Sequence, residues 1–207
     1  MRYDSLIFDI DGTLWDSRAL VAKGYNRQLE KEGLERYRVD AEQLKSLFGK
    51  PIPEIGDALF PDMTEEERHG LIARCTAAQD EFLKDATSAI AYPGVQETIK
   101  ALAQSYRLFI VSNSCQGYPE LCISRLGLEP YIEGHLCFGD TGTSKGQTIL
   151  TLMKKYGIQA PVYIGDTQGD YEATVEAHIP FIFAAYGFGN PDGYWKKIQS
   201  LSQLLTL

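Results

Sequence analysis

Asp9 and Asp11 close an apolar run, Leu6-Ile7-Phe8, and Gly12-Thr13-Leu14 follows at once. Successive side chains of a strand point to opposite faces, so acids at alternate positions share a face. Two carboxylates placed that way can hold one cation, or divide the roles of nucleophile and general acid. A second acidic group, Asp166 and Asp170, stands in Val162-Tyr163-Ile164-Gly165-Asp166-Thr167-Gln168-Gly169-Asp170, again where a β-branched run meets a glycine-containing turn. If a helix opens at Gln168 or Gly169, both acids point back toward the strand tips, and hard oxygen ligands of that kind suit Mg²⁺. Between the acidic groups lie Ser112-Asn113-Ser114, after Phe109-Ile110-Val111, and Lys145 in Thr143-Ser144-Lys145-Gly146-Gln147. Hydroxyl, amide and main-chain donors of the first can hold phosphate oxygens. The lysine can offset the charge that gathers on a transferring phosphoryl group.

Taken singly, each segment has a plainer reading. Aspartates at strand ends cap turns, Asp170 or Ser112-Asn113 can cap a following helix, and a lysine at a helix start is ordinarily solvated. Lys145 also opposes the helix dipole there, which favours a functional reason. Taken together, with each segment at an expected strand end or in the next loop, one metal and phosphate site accounts for all of them better than four separate caps.

The elements that must position these residues are legible as an alternation. Strands are expected at Ser5–Asp9, Leu108–Ser112, Leu136–Phe138, Val162–Gly165 and Phe181–Ala184, and helices at Val95–Gln104, Tyr118–Leu126, Lys145–Tyr156, Asp170–Ala177 and Trp195–Leu205. Short apolar strands alternating with helices predict an α/β fold, a Rossmann-like three-layer parallel sheet whose ligands lie at the carboxyl ends of the strands. Residues 15–85 break the alternation and read as an inserted helical domain, leaving 1–14 and 86–207 for the core. Its expected helices are Ser17–Lys31, Ala41–Phe48, a short one after Pro51-Ile52-Pro53, and Thr64–Lys84, where Thr64 and Glu67 fit a capping box. Pro93-Gly94 marks the return. Tyr186-Gly187-Phe188-Gly189-Asn190 is read as loop punctuation, and His69, His135 and His178 receive no role.

At 207 residues with a formal charge of −8, the chain is expected to make one core and a small second one, and to avoid nucleic acid and anionic membranes, which need a positive field. Cys75, Cys115, Cys122 and Cys137 form no Cys-x-x-Cys pair and lie near no histidine at ligand spacing, so zinc is not expected. They read as reduced thiols of a cytoplasmic protein. Neither a signal-peptide layout nor an apolar run of transmembrane length is seen.

In these segments and in their order, over essentially the whole chain, the sequence resembles the haloacid dehalogenase superfamily, in the phosphatase branch similar to phosphoglycolate phosphatases. Motif one is Asp9-Ile10-Asp11-Gly12-Thr13, motif two Ser112 with Asn113, motif three Lys145, and motif four Gly165-Asp166 through Asp170. The helical insert is similar to the family's C1-type cap, and Phe48-Gly49-Lys50-Pro51-Ile52-Pro53-Glu54 to a segment of it. Gly146 departs from the proline that often follows the family's lysine. The resemblance implies a Mg²⁺-dependent phosphatase acting on a small phosphomonoester, whether phosphoglycolate-like, a sugar phosphate or a nucleotide. It implies Asp9 as nucleophile and Asp11 as acid and base. It implies Mg²⁺ on Asp9, on Asp11 through its carbonyl and on Asp166, with Asp170 acting through water or by orienting the site. Thr13, Ser112, Asn113 and Lys145 would grip the phosphoryl oxygens. The cap would close over the site on linkers near Trp15–Ser17 and Ala86–Tyr92, with Lys50 and Trp15 facing the mouth.

Asp11 disfavours a dehalogenase, which needs no acid for its leaving group. A phosphosugar mutase shares the four motifs and differs by retaining its phosphate. Outside the family, a phosphoacceptor module resembling a response-regulator receiver also pairs acids with a lysine, but carries its acceptor on a middle strand and has no large early insert. A silent binding protein on this fold would be expected to lack one of Asp9, Asp11, Lys145 or Asp166, and all are present.

Overall fold

The computed structural model describes residues 3–84 and 90–207. The apolar run after Asp4 forms β1 (Ser5–Phe8), buried along its length. Four helices follow: α1 (Arg18–Lys31), α2 (Ala41–Lys45), α3 (Ile52–Leu59) and α4 (Glu65–Lys84). The chain then runs through α5 (Val95–Leu102), β2 (Arg107–Ser112), α6 (Tyr118–Arg125), β3 (Gly134–Cys137), α7 (Phe138–Thr141), α8 (Lys145–Tyr156), β4 (Pro161–Gly165), α9 (Gln168–Glu176), β5 (Phe181–Ala184) and β6 (Lys196–Ile198). By contacts the chain divides into two compact units, one of Met1–Asp16 with Ala91–Leu207, the other Ser17–Ile90.

In the first unit the described strands form one sheet in the order β3-β2-β1-β4-β5-β6, and each neighbouring pair is parallel. Strands buried on both faces must be apolar throughout, which is why Leu6-Ile7-Phe8 and Val162-Tyr163-Ile164 take the centre. Chain order reverses between β1 and β4, so the crevice outside their carboxyl ends is the switch point at which such sheets bind ligands. One face of the sheet packs Ile7, Phe109, Val111, Tyr163, Phe181 and Phe183 against Ile149 and Leu152 of α8 and Ala173 of α9. That packing fixes where both helices begin relative to the strand tips. In the helical unit, α1 lies against α4 with Gly24 on the main chain of Gln79, where a Cβ would stand 2.7 Å from the Gln79 nitrogen. Thr64 and Glu67 exchange their expected reciprocal bonds at the start of α4, at 2.9 and 3.3 Å. No helix among the described residues is long and apolar enough to cross a membrane.

The expected helix over Trp195–Leu205 is not formed. Lys196–Ile198 instead pairs with β5 as an edge strand, and only Leu201–Thr206 is helical, as a 3-10 turn. A three-residue strand carries too little periodicity to read, and its pairing comes from β5, not from its own sequence. The helix expected from Ala41 to Phe48 ends at Lys45, in turns that lead to Gly49 at a φ of 91°. The helix expected from Asp170 starts at Gln168, because Thr167 is the N-cap and Asp170 its capping-box partner. The linker expected at 86–92 lies in part outside the described residues.

Candidate active site

Asp9 is the first residue past β1, and its N–H still donates to the Ile164 carbonyl of β4 at 2.9 Å. Its carboxylate is therefore carried by the middle of the sheet and is only 3% exposed. Lys145, the first residue of α8, reaches back across the strand tips. Its Nζ donates to Asp9 Oδ1 at 2.9 Å and to Asp170 Oδ1 at 2.7 Å. Asp170 is fully engaged: Oδ2 accepts from the main-chain N–H groups of Asp166 and Thr167 at 3.1 and 2.9 Å and from the Thr167 hydroxyl at 2.8 Å. The Tyr163 hydroxyl, which donates to the Val111 carbonyl at 2.9 Å, lies 3.3 Å from Asp170 Oδ1. Asp166 is different. The Phe188 N–H donates to its Oδ2 at 2.6 Å, while Oδ1 is buried without a hydrogen-bond partner among the described residues.

The electrostatics follow from this burial. Burial raises the Asp9 carboxyl, Lys145 pulls it back, and the neighbouring Asp170 and Asp11 charges raise it again, to about 7 in all. Asp166 stands well above the usual carboxylate range through burial and the charges of Asp170 and Asp9. In Asp170 burial also acts upward, but the Lys145 ammonium and the hydrogen bonds outweigh it and hold it below its ordinary value. Burial acts to lower Lys145, and Asp170 and Asp9 overcome it, so the ammonium is kept. One lysine cannot balance three buried carboxylates. Ligand oxygens of Asp9, Asp166 and Asp170 lie within 4.8 Å of one another, and with the orphaned Asp166 Oδ1 this all-oxygen, over-negative set fits a hard divalent cation.

Asp11 is held by a second pair of groups. Its Oδ1 accepts from Trp15 Nε1 at 3.0 Å and from the Tyr118 hydroxyl at 2.9 Å, and the two rings meet edge to face. Trp15, expected to face a mouth, is fully buried as this clamp. Gly12 makes the turn at a φ of 83°, and a Cβ there would stand 2.5 Å from Asp166 Cγ, so only glycine lets the loop lie on that carboxylate. Thr13 is buried with its hydroxyl unpartnered among the described residues. Phe8 pairs with Ile110, so Ser112 ends β2 beside the Asp9 loop, and its Oγ accepts from the Ser114 N–H at 3.3 Å. Asn113 follows, half-buried. Lys50 belongs to the helical unit and is exposed in the turn after α2.

The structure thus brings together Asp9, Lys145, Asp166 and Asp170, with Asp11, Thr13 and Ser112 in the same and adjoining strand ends. The loop read as punctuation proves to be part of the wall. Phe188 holds Asp166, the Tyr186 hydroxyl donates to the Thr13 carbonyl at 2.9 Å, and a Cβ on Gly187 would come 2.5 Å from Asp166 Oδ2. Its position after β5, at the carboxyl end of a strand next to β4, was the available signal. Tyr118 and Tyr163 had no comparable sequence signal, since each meets its acid only through the fold.

The model of the haloacid dehalogenase-like hydrolases matches residues 6–184. The chain is 25% identical over 190 residues to the phosphoglycolate phosphatase of Aquifex aeolicus (strain VF5), covering 88% of this chain and 85% of that protein. It is 28% identical over 193 residues to the phosphoglycolate phosphatase of Agrobacterium fabrum, covering 88% and 80%. A solved haloacid dehalogenase-like family hydrolase from Streptococcus pneumoniae shares the fold, with a TM-score of 0.82 over 99% of this chain and 97% of that one, at 18% identity.

Proposed function

The chain belongs to the haloacid dehalogenase-like hydrolases, and on that premise we propose that it is a Mg²⁺-dependent phosphatase that releases phosphate from a small phosphomonoester through Asp9. The observation that carries the reading is the Lys145 ammonium set between Asp9 and Asp170, at 2.9 and 2.7 Å, at the carboxyl ends of adjacent strands. Asp9 Oδ attacks phosphorus, forming the aspartyl-phosphate as the ester P–O bond breaks. Asp11 gives its proton to the departing alcohol oxygen. It then takes a proton from water, whose oxygen attacks phosphorus and breaks the P–O bond to Asp9, so ester and water become alcohol and phosphate. The Trp15 and Tyr118 bonds fix Asp11 for both transfers.

Lys145, the Thr13 and Ser112 hydroxyls and the Asn113 main chain would meet the phosphoryl oxygens, where preorganised charge is most of what a protein adds to phosphoryl transfer. Asp9, Asp166 and the Asp11 carbonyl would hold Mg²⁺, which when bound supplies the positive charge that offsets repulsion between a carboxylate and a phosphate dianion. Asp170, with both oxygens taken, keeps Lys145 in place. The helical unit would act as the cap that selects the leaving group, with Lys50 as one candidate contact. Phosphoglycolate phosphatases among the relatives make 2-phosphoglycolate the first substrate to try.

The test is phosphate release across 2-phosphoglycolate, sugar phosphates and nucleotides, with Mg²⁺ and with chelator, for wild type and Asp9→Asn. Release is expected from at least one ester, abolished by chelation and reduced at least about a thousandfold in Asp9→Asn. Turnover by Asp9→Asn at the wild-type rate refutes the covalent step, and chelator-resistant activity refutes the metal.

A further inference from the structure

Helix α9 holds the active-site lysine at both of its ends. At its start, Asp170 takes the Lys145 ammonium. At its last residue, Glu176 takes two side chains of the turn from which Lys145 grows. The Ser144 hydroxyl lies 2.9 and 2.8 Å from the two carboxylate oxygens of Glu176, and Gln147 Nε2 donates to Oε1 at 2.7 Å. Ser144 is also the N-cap of α8, its Oγ accepting from the Gln147 N–H at 3.2 Å. The residues flanking Lys145 in the first turn are thus tied to one carboxylate. Between them Gly146 leaves the room: a Cβ there would stand 2.6 Å from Glu176 Cδ and 2.7 Å from its Cβ. That is a physical reason for glycine at position 146.

We propose that Glu176, seated over Gly146, is a positioning residue for Lys145, setting the α8 first turn so that the ammonium meets Asp9 and Asp170 together. The inference rests on the phosphatase reading for its catalytic consequence, though not for its geometry. Glu176, Ser144 and Gln147 are exposed, so their bonds add little to stability. Lys145 is buried, and a displacement of its backbone by a few tenths of an ångström moves an ammonium that must sit within hydrogen-bond reach of two carboxylates and a phosphoryl group. Misplacement of 1 Å can cost about a hundredfold in rate.

The experiment compares Glu176→Ala, Glu176→Gln, Gly146→Ala and the double variant Gly146→Ala/Glu176→Ala. Glu176→Ala and Gly146→Ala should each lower kcat by about tenfold, because one removes the carboxylate and the other pushes it away. KM should stay within about twofold, since Lys145 acts on charge that develops in the transition state. The double variant should be no slower than the slower single, because both changes break one contact. Glu176→Gln, which keeps an oxygen for the Ser144 hydroxyl, should recover most of kcat, and Glu176→Ala and Glu176→Gln should melt within about 3 °C of wild type.

Amine-reactive labelling of Lys145, read by mass spectrometry on the purified proteins, needs no turnover. Lys145 should be labelled slowly in the wild type and measurably faster in Glu176→Ala and Gly146→Ala, where its two ion pairs are loosened. Folded Glu176→Ala with wild-type kcat and unchanged labelling overturns the proposal, as do additive losses in the double variant. If the wild type releases no phosphate, it is the phosphatase reading that fails, and the labelling alone decides whether Glu176 positions Lys145.

Discussion

Replacing Lys145 by Met keeps the length of the stem and removes the cation shared by the buried acids Asp9 and Asp170, beside Asp166. At 2.9 and 2.7 Å and an effective dielectric of about 20, each ion pair has a gross Coulomb energy of about 6 kcal/mol. Burying the ammonium costs several kcal/mol of that, so the net loss expected for breaking the pairs while the acids stay buried is about 3–5 kcal/mol. The assay is urea unfolding of metal-free protein at neutral pH, wild type against Lys145→Met, followed by circular dichroism and fluorescence. Adding Asp170→Asn to Lys145→Met should restore part of the loss, because one of the stranded charges is then gone, with a coupling of at least about 2 kcal/mol.

The pH dependence has a definite sign. Asp9 stands raised, at about 7 in the folded protein, so it favours folding at low pH, and that contribution is lost as pH rises from the ordinary carboxylate value through about 7. Without Lys145 the rise is greater, and the deficit of the variant should widen from pH 5 to pH 8. Unfolding of metal-free Lys145→Met within about 1 kcal/mol of wild type at neutral pH, or losses that simply add in the double variant, would refute the account of the site as a balance of buried charges.

Gly187→Ala should place its Cβ against Asp166 and cost about 1–3 kcal/mol of overpacking, read as a fall of about 2–4 °C in Tm for each kcal/mol, together with a loss of turnover that Gly33→Ala in the helical unit does not cause. In that unit, the Arg74 guanidinium and the Gln28 amide hold Glu32 down to about 2. A depressed carboxyl stabilises the fold above its unfolded value and loses that contribution as pH falls through the folded value. Arg74→Ala should therefore return Glu32 toward an ordinary titration by NMR while costing less than about 1 kcal/mol at pH 7, since Arg74 is half exposed.

The sequence by itself determined the local and the repetitive. Leu6-Ile7-Phe8 and Val162-Tyr163-Ile164 read as buried strands because every side chain of a central parallel strand must be apolar, and the acids, hydroxyls and lysine named themselves by type and by standing at strand ends. Thr64 and Glu67 announced their helix start because both partners lie within one turn. What only the tertiary structure decided are pairings between distant segments: Lys145 with Asp9, the Tyr118 hydroxyl on Asp11, the Phe188 N–H on Asp166, and Glu176 over Gly146. Lys196–Ile198 belongs with them, since three residues have no period of their own and become a strand only beside β5. Hydropathy pattern reports whether a residue is inside. Which inside group it meets is set by sheet order and by where each crossover helix starts, and neither is written in the neighbouring residues.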